Sequence, residues 1–244
     1  SLQVLTNDFQ SAFDPCLNWD CSKVAFAGIH KNGGGCQIWE MNIDGSGVRQ
    51  MTDLPGTSRS PIYYAAGAIE PGKGKVISRD RYFEGDWKIR GEVEKTGFMI
   101  ISYSPADAMD EYYNPYSYSL YRLDPQGGNM MDRICGHKLM GIDMPSLNTV
   151  VDKITYNVSS DFDPALTRDG NIMFSSTQAN GTHNNSDGSV CLIVDNWDGS
   201  YPRHIYGNEG NEQPSTPKIN AREAVDGYLY YIEALDYNSG IGNL

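Results

Sequence analysis

Short apolar runs, broken every few residues by Gly, Pro, Asn or Asp, make up most of this chain. Gln37-Ile38-Trp39-Glu40-Met41 alternates polar and apolar positions, the period-2 pattern of a half-buried strand. Val24-Ala25-Phe26-Ala27, Ile172-Met173-Phe174 and Tyr228-Leu229-Tyr230-Tyr231-Ile232 are further short apolar runs that predict strands. Asp44-Gly45 and Asp169-Gly170 lie between such runs and predict hairpins, since glycine reaches the positive φ that a tight turn demands. The frequent breakers leave little room for a helix.

The pattern also repeats. Phe13-Asp14-Pro15-Cys16-Leu17-Asn18-Trp19-Asp20 aligns with Phe162-Asp163-Pro164-Ala165-Leu166-Thr167-Arg168-Asp169, and each block runs into a short apolar stretch. Asn42-Ile43-Asp44-Gly45-Ser46 then matches Asn196-Trp197-Asp198-Gly199-Ser200, with Arg49 and Arg203 following at equal spacing. Tyr118-Ser119-Leu120-Tyr121-Arg122-Leu123-Asp124 is a third copy of the second half. Units of about 45 residues with four short strands each predict β-propeller blades. In each Asp-Pro pair the aspartate is expected to be extended and to open a strand. Cys21 stands where the partner repeat has Gly170, so the first turn is expected to differ in geometry.

The expected fold class is therefore all-β: a propeller of four-stranded antiparallel blades, about four of them, in an incomplete ring. Blades are expected at about 10–54, 58–130, 154–206 and, in part, 213–244. Blade two has its second strand at Lys75-Val76-Ile77-Ser78 and an insertion over 82–116. Residues 1–6 read as the outer strand of a preceding or a closing blade. The stretch from Cys135 to Asp152 reads as a connector.

Composition changes the picture in two ways. Lys+Arg 19 against Asp+Glu 31 gives a net charge of −12, which argues against nucleic acid or an anionic membrane surface as partner. No apolar run approaches the roughly 20 residues of a membrane span, and an export leader is expected outside Ser1–Leu244. The five cysteines, Cys16, Cys21, Cys36, Cys135 and Cys191, contain no C-x-x-C-H haem-attachment signature. Asn157-Val158-Ser159, Asn180-Gly181-Thr182 and Asn184-Asn185-Ser186 match the glycosylation sequon.

The order Phe-Asp-Pro…Asp, Phe-Ala-Gly, Ile-Trp-Glu-Met-Asn-Ile-Asp-Gly-Ser-Gly-Val-Arg-Gln-Met-Thr resembles the TolB-type, WD40-like propeller repeat. A closer resemblance is to the hydrazine synthase alpha subunit and its relatives. It is carried by Arg59-Ser60-Pro61-Ile62-Tyr63, Met109-Asp110-Glu111-Tyr112, Ser119-Leu120-Tyr121 and the run from Tyr156 to Pro164. That resemblance implies a fragment of an oxidoreductase that joins nitric oxide and ammonium into hydrazine. It further implies a haem c attached outside this segment, other subunits of a multi-subunit complex as partners, and an exported location, periplasmic or in the anammoxosome lumen. This chain departs from the usual repeat at Cys16, Cys21, Cys36 and the Gly33-Gly34-Gly35 run.

Candidate chemistry is sparse. Cys135-Gly136-His137 is the only Cys/His pair close in sequence; it could hold zinc or approach a haem iron from the side, or be a loop thiol beside a solvated imidazole. Cys16 and Cys21 flank a turn and are either bridged or two thiols. Cys36, after three glycines, is expected to be the most accessible thiol. Asp107, Asp110 and Glu111 could take calcium, although a solvated acidic loop is favoured. Asp44, Asp169, Asp187 and Asp198 read as turn formers, and Asp14 and Asp163 as structural residues of the blade. Tyr112, Tyr113, Tyr116, Tyr118 and Tyr121 are either a contact surface or a strand surface. No P-loop, G-x-S-x-G or H-E-x-x-H motif occurs, so no complete catalytic site lies in this chain. Two functional classes stand: an enzyme component that scaffolds a haem site, or a non-catalytic propeller that binds a protein or glycan. The blades themselves cannot separate the two.

Overall fold

The structure is a computed structural model describing residues 3–64, 68–69, 76–77, 98–109, 117–123, 151–157, 159–178, 189–196, 199–206, 217–234 and 242–243. Every regular element among them is a strand. The first sheet runs β1 (Phe9–Leu17), β2 (Lys23–His30), β3 (Gln37–Asn42), β4 (Arg49–Gln50), each antiparallel to the next. The second draws on β5 (Gly56–Tyr64), β8 (Phe98–Pro105), β9 (Ser119–Leu123) and β10 (Val151–Lys153), in the order β10-β9-β8-β5. Between β5 and β8 a separate ribbon pairs β6 (Ala68–Ile69) with β7 (Val76–Ile77). The third sheet is β11 (Asp161–Leu166), β12 (Ile172–Gln178), β13 (Ser189–Asp195) and β14 (Arg203–Tyr206). The fourth has three strands, β15 (Lys218–Glu223), β16 (Leu229–Ala234) and β17 (Gly242–Asn243).

The blade pattern thus exists as four meandering antiparallel sheets. Within the second sheet the strands fall elsewhere than expected. Val76 and Ile77 belong to the side ribbon, and the second strand comes from Phe98–Pro105, inside the stretch read as insertion. The fourth strand comes from Val151–Lys153, inside the expected connector. The reason is a shared device. In the first sheet Met51 N donates to Ile38 O (2.7 Å), while Thr52 Oγ1 accepts from Ile38 N (2.8 Å). Ile154 N and Thr155 Oγ1 make the same two bonds to Leu120, both at 2.9 Å. A threonine hydroxyl takes over the ladder where the outer strand peels away. Residues 3–6 form no strand.

The chain divides into two compact units, 1–101 with 121–152, and 102–120 with 153–244. In the first, period-2 alternation splits sheet one cleanly. Val24, Phe26 and Met41 join Phe9 on one face, with Leu5 and Trp39 packed against them. Ala25, Ala27 and Ile38 are fully buried on the other face. In the second unit Ala165, Met173, Leu192 and Val194 of sheet three pack with Ala221 of sheet four.

Each first strand carries one left-handed residue: Asp14 (φ 51°), Ser60 (φ 49°), Asp163 (φ 52°) and Asn220 (φ 53°). Register slips beside three of them, between Phe13 and Cys16, Phe162 and Ala165, and Ile219 and Arg222. This overturns the expectation that Asp-Pro is extended and opens a strand. The aspartates sit inside β1 and β11 as bulge residues, where an extra residue bends the strand, and a short polar side chain tolerates positive φ. Asp14 is a structural residue as expected: its Oδ2 accepts from Ser60 N (3.1 Å) and Ser60 Oγ (2.8 Å), tying the left-handed residue of β1 to that of β5.

The first turn starts as its partner does and then diverges. Cys21 takes φ 56°, as Gly170 takes 82°, and the bonds Cys21 N to Asn18 O and Gly170 N to Thr167 O are equivalent at 3.0 Å. The bend is shared, but the loop closes one residue later, Asn18 N on Lys23 O against Thr167 N on Asn171 O, so the first turn differs, as expected, by one added residue, Ser22.

Candidate functional site

Sheet one and β5 build the two polar features of the first unit. On the inner face, β3 alternation places Glu40 beside Ile38, almost fully buried at 3% exposure. A lone buried carboxylate would be costly, and three partners compensate. Lys23 Nζ lies 2.9 Å and Arg49 Nη2 2.8 Å from Oε1, while Tyr63 Oη donates to Oε2 at 2.8 Å. Burial pushes the Glu40 carboxyl up, but the hydrogen bonds from Lys23, Tyr63 and Arg49 more than offset it and hold the group below its ordinary value. The Tyr63 phenol is pushed far up by burial and by donating to that carboxylate.

On the outer side lies a cleft of about 500 Å³, lined by residues of 30–39 and 50–56. The Gly33-Gly34-Gly35 loop forms one wall. His30 stacks on Trp39 at 5.5 Å and 24°, and Phe9 meets both rings edge-on at 5.4 and 5.0 Å. His30 Nδ1 accepts from Asn32 N (3.1 Å), so in the neutral ring the proton sits on Nε2. Gln37, buried beneath, spends its amide on Leu54 O, Leu54 N and Thr52 Oγ1.

In the second unit Asp161 is a buried carboxylate at 2% exposure. It accepts from Ser176 Oγ (2.6 Å) and Asn157 Nδ2 (3.2 Å). Burial pushes this acid up, and bonds from Ser176, Thr155 and Asn157 offset that only in part. A raised acid stabilises the fold fully below its unfolded-state value, near 3.8, and that share is lost as pH rises through the folded value. Asp161→Asn is therefore expected to gain melting temperature relative to the parent between about pH 4 and pH 7. A gap between the two that stays constant with pH would contradict this. Asn157 Nδ2 also donates to Ser176 Oγ and Thr177 O, so the nitrogen its sequon offers to a glycan is engaged in the fold.

The cysteines sort differently from expectation. Cys36 is buried rather than accessible: the chain enters β3 directly after the glycine loop, and Sγ donates to Ser58 O at 3.3 Å. Burial pushes its thiol up to about 11. Among the described cysteines Cys21 is the exposed thiol, and Cys16 and Cys21 are not bridged; Cys16 pairs across the sheet with Ala25, whereas Cys21 sits in the turn. Cys191 lies 3.5 Å from His204 Nδ1, a Cys/His pair missed in sequence because 13 residues separate the two and only strand pairing joins them. Its thiol too is pushed up to about 11 by burial. This pair supplies two of the four ligands a structural zinc needs, and no cluster of three or more His, Cys, Asp or Glu occurs among the described residues. Cys135 and His137 lie outside the described residues, as do Asp110, Glu111, Tyr112, Tyr113, Tyr116, Asp187 and Asp198. Asp107 is exposed. Asp44 accepts from Ser46 N in its own turn, as read, whereas Asp169 accepts from the side chains of Asn171 and Thr167 across its turn.

Covalent haem attachment needs paired thiols two residues apart followed by histidine. The donor set of this segment does not fit that group: the spacing is absent, Cys36 and Cys191 are held as neutral buried thiols, and His30 is stacked on Trp39.

The meandering antiparallel sheets, three of four strands and one of three described strands, each with a left-handed residue in its first strand, define the chain as β-propeller blades. No family model matches it. Hydrazine synthase subunit alpha of Kuenenia stuttgartiensis is 62% identical over 245 residues, covering all of this chain and 30% of that protein. The solved Kuenenia stuttgartiensis hydrazine synthase superposes with TM-score 0.78 at 59% identity, over 98% of this chain and 31% of that one. A putative TolB from Agrobacterium tumefaciens aligns with TM-score 0.48 at 15% identity, over 94% of this chain and 61% of that one. The chain is thus a relative of hydrazine synthase subunit alpha and spans about a third of its length. No helix among the described residues is long and apolar enough to cross a membrane.

Proposed function

We propose that this chain is the propeller part of a hydrazine synthase alpha-like subunit, an oxidoreductase component that forms hydrazine from nitric oxide and ammonium. The observation that carries the reading is identity of 62% along the whole chain, with no stretch left unmatched. In this reading the blades hold and wall off a haem supplied by sequence outside Ser1–Leu244, since the donors within it do not fit attachment. The subunit works in a multi-subunit complex, in an exported compartment, periplasmic or the anammoxosome lumen.

The protein containing this segment, purified in native full-length form, is expected to have a mass well above 27.0 kDa and a Soret band. A colourless protein would overturn the enzyme reading and leave a propeller that binds a protein or glycan partner.

A further inference from the structure

The glycine-walled cleft of the first unit has no part in that reading. Gly33 and Gly34 have φ 98° and 103°, and a Cβ on either would meet nothing within 4 Å. Their glycine character therefore serves the backbone path and leaves the main chain bare on the cleft side. Among the described residues no turn or loop hydrogen bond between backbone groups engages Gly34, while Gly35 backs onto Gly56 O, which a Cβ would meet at 3.0 Å. Open N–H and C=O groups in sequence are what an extended peptide pairs with. The remaining lining adds both kinds of polar group. In the neutral ring His30 carries its proton on Nε2, and among the described residues the Gln50 amide bonds through Nε2 to Thr52 O (2.7 Å). Asp53 is the one carboxylate on the lining, exposed and without an ion pair among the described residues. A volume of about 500 Å³ falls in the ~300–1,000 Å³ range of ligand sites.

We propose that the cleft between the Gly33–Gly35 loop and the His30–Trp39 pair holds an extended peptide segment bearing an arginine or lysine, contributed by a partner polypeptide. Charge selects the partner: this chain carries −12 overall and a lone Asp53 on the lining, so a basic segment is favoured and an acidic one repelled. Glycine lets the incoming backbone approach, the aromatic pair covers its side chain, and Asp53 faces the cation.

The test is calorimetric titration of the full-length protein with N-acetyl-Gly-Arg-Gly amide, its Glu counterpart and N,N′-diacetylchitobiose. Saturable binding of the Arg peptide below about 1 mM is expected, with none for the Glu peptide. Asp53→Asn, at an exposed position, is expected to weaken it about three- to tenfold. Absence of saturation by the Arg peptide, equal affinity in Asp53→Asn, or displacement of the peptide by the disaccharide would each overturn the proposal. These outcomes leave the haem reading untouched, because none depends on colour or mass.

Discussion

Gly199→Ala is expected to destabilise the protein by about 4 kcal/mol or more, the exceptional end of single-substitution effects. Two costs add. At φ 80° an L side chain is strained by about 1–2 kcal/mol. A Cβ there would also fall inside the van der Waals shell of Ile154 O, a backbone atom fixed by the bond from Ile154 N to Leu120 O. That carbonyl cannot swing aside as a side chain could. Two controls share the conformation and differ in space. Gly227 has φ 85° with nothing within 4 Å, so Gly227→Ala is expected to cost only the strain, about 1 kcal/mol. Gly45, at φ 86°, would meet Leu5 Cδ2 at 2.9 Å, a flexible end that can give, and should fall between. Urea unfolding midpoints of the three variants measure the order. Equal losses at Gly199 and Gly227 would show that strain alone decides.

Glu40→Ala should cost about 3 kcal/mol, the low end of the ~3–5 kcal/mol for breaking a buried ion pair. It is the low end because Lys23 and Arg49 are 40% and 46% exposed, so water takes over much of their solvation once the carboxylate is gone. Tyr63 loses its acceptor in a buried place, which adds to the cost. The pH dependence has a definite sign. An acid held below its ordinary value stabilises the fold above the unfolded-state value, near 4.5, and that share is lost as pH falls through the folded value. The stability gap between parent and Glu40→Gln should therefore be full at pH 7 and close below about pH 4. This is opposite to Asp161, whose hydrogen-bond partners among the described residues are hydroxyls and an amide, with Lys153 acting only through its charge. Burial wins at Asp161, and hydrogen bonds from two cations and a phenol win at Glu40. Melting curves of both variants from pH 3 to 8 would separate the two acids, and parallel curves would refute the assignment.

Blade two shows where strand pattern alone misleads. Lys75–Ser78 has the look of a second strand, yet Val76–Ile77 closes a local ribbon with Ala68–Ile69. Phe98–Pro105, with Met99, Ile100 and Ile101 fully buried, takes the place in the sheet. Both runs are apolar enough to pair. Pairing decides: Val76–Ile77 meets Ala68–Ile69, whereas Phe98–Pro105 stands between β5 and β9. The fourth strand at Val151–Lys153 was readable in principle: Lys153-Ile154-Thr155 repeats Gln50-Met51-Thr52, but the threonine's role is visible only once its hydroxyl is seen at the Leu120 amide.

The sequence by itself determined the all-β class, the repeat, the Asp-Gly turns and the relation to hydrazine synthase subunit alpha. Each of these rests on local periodicity, turn chemistry or residue order, which survive without a third dimension. Only tertiary structure decided the rest. The left-handed residues Asp14, Ser60, Asp163 and Asn220, three of them at register slips, belong to strands paired with a neighbour. The burial of Cys36, the Cys191–His204 pair, the closure of Asn157 and the opposite shifts of Glu40 and Asp161 depend on what lies across the sheet. Most such partners lie on a neighbouring strand, from 9 residues (Arg49 to Glu40) to 23 (Tyr63 to Glu40) away in the chain, and a side chain's charge and reactivity follow from the partners it meets there.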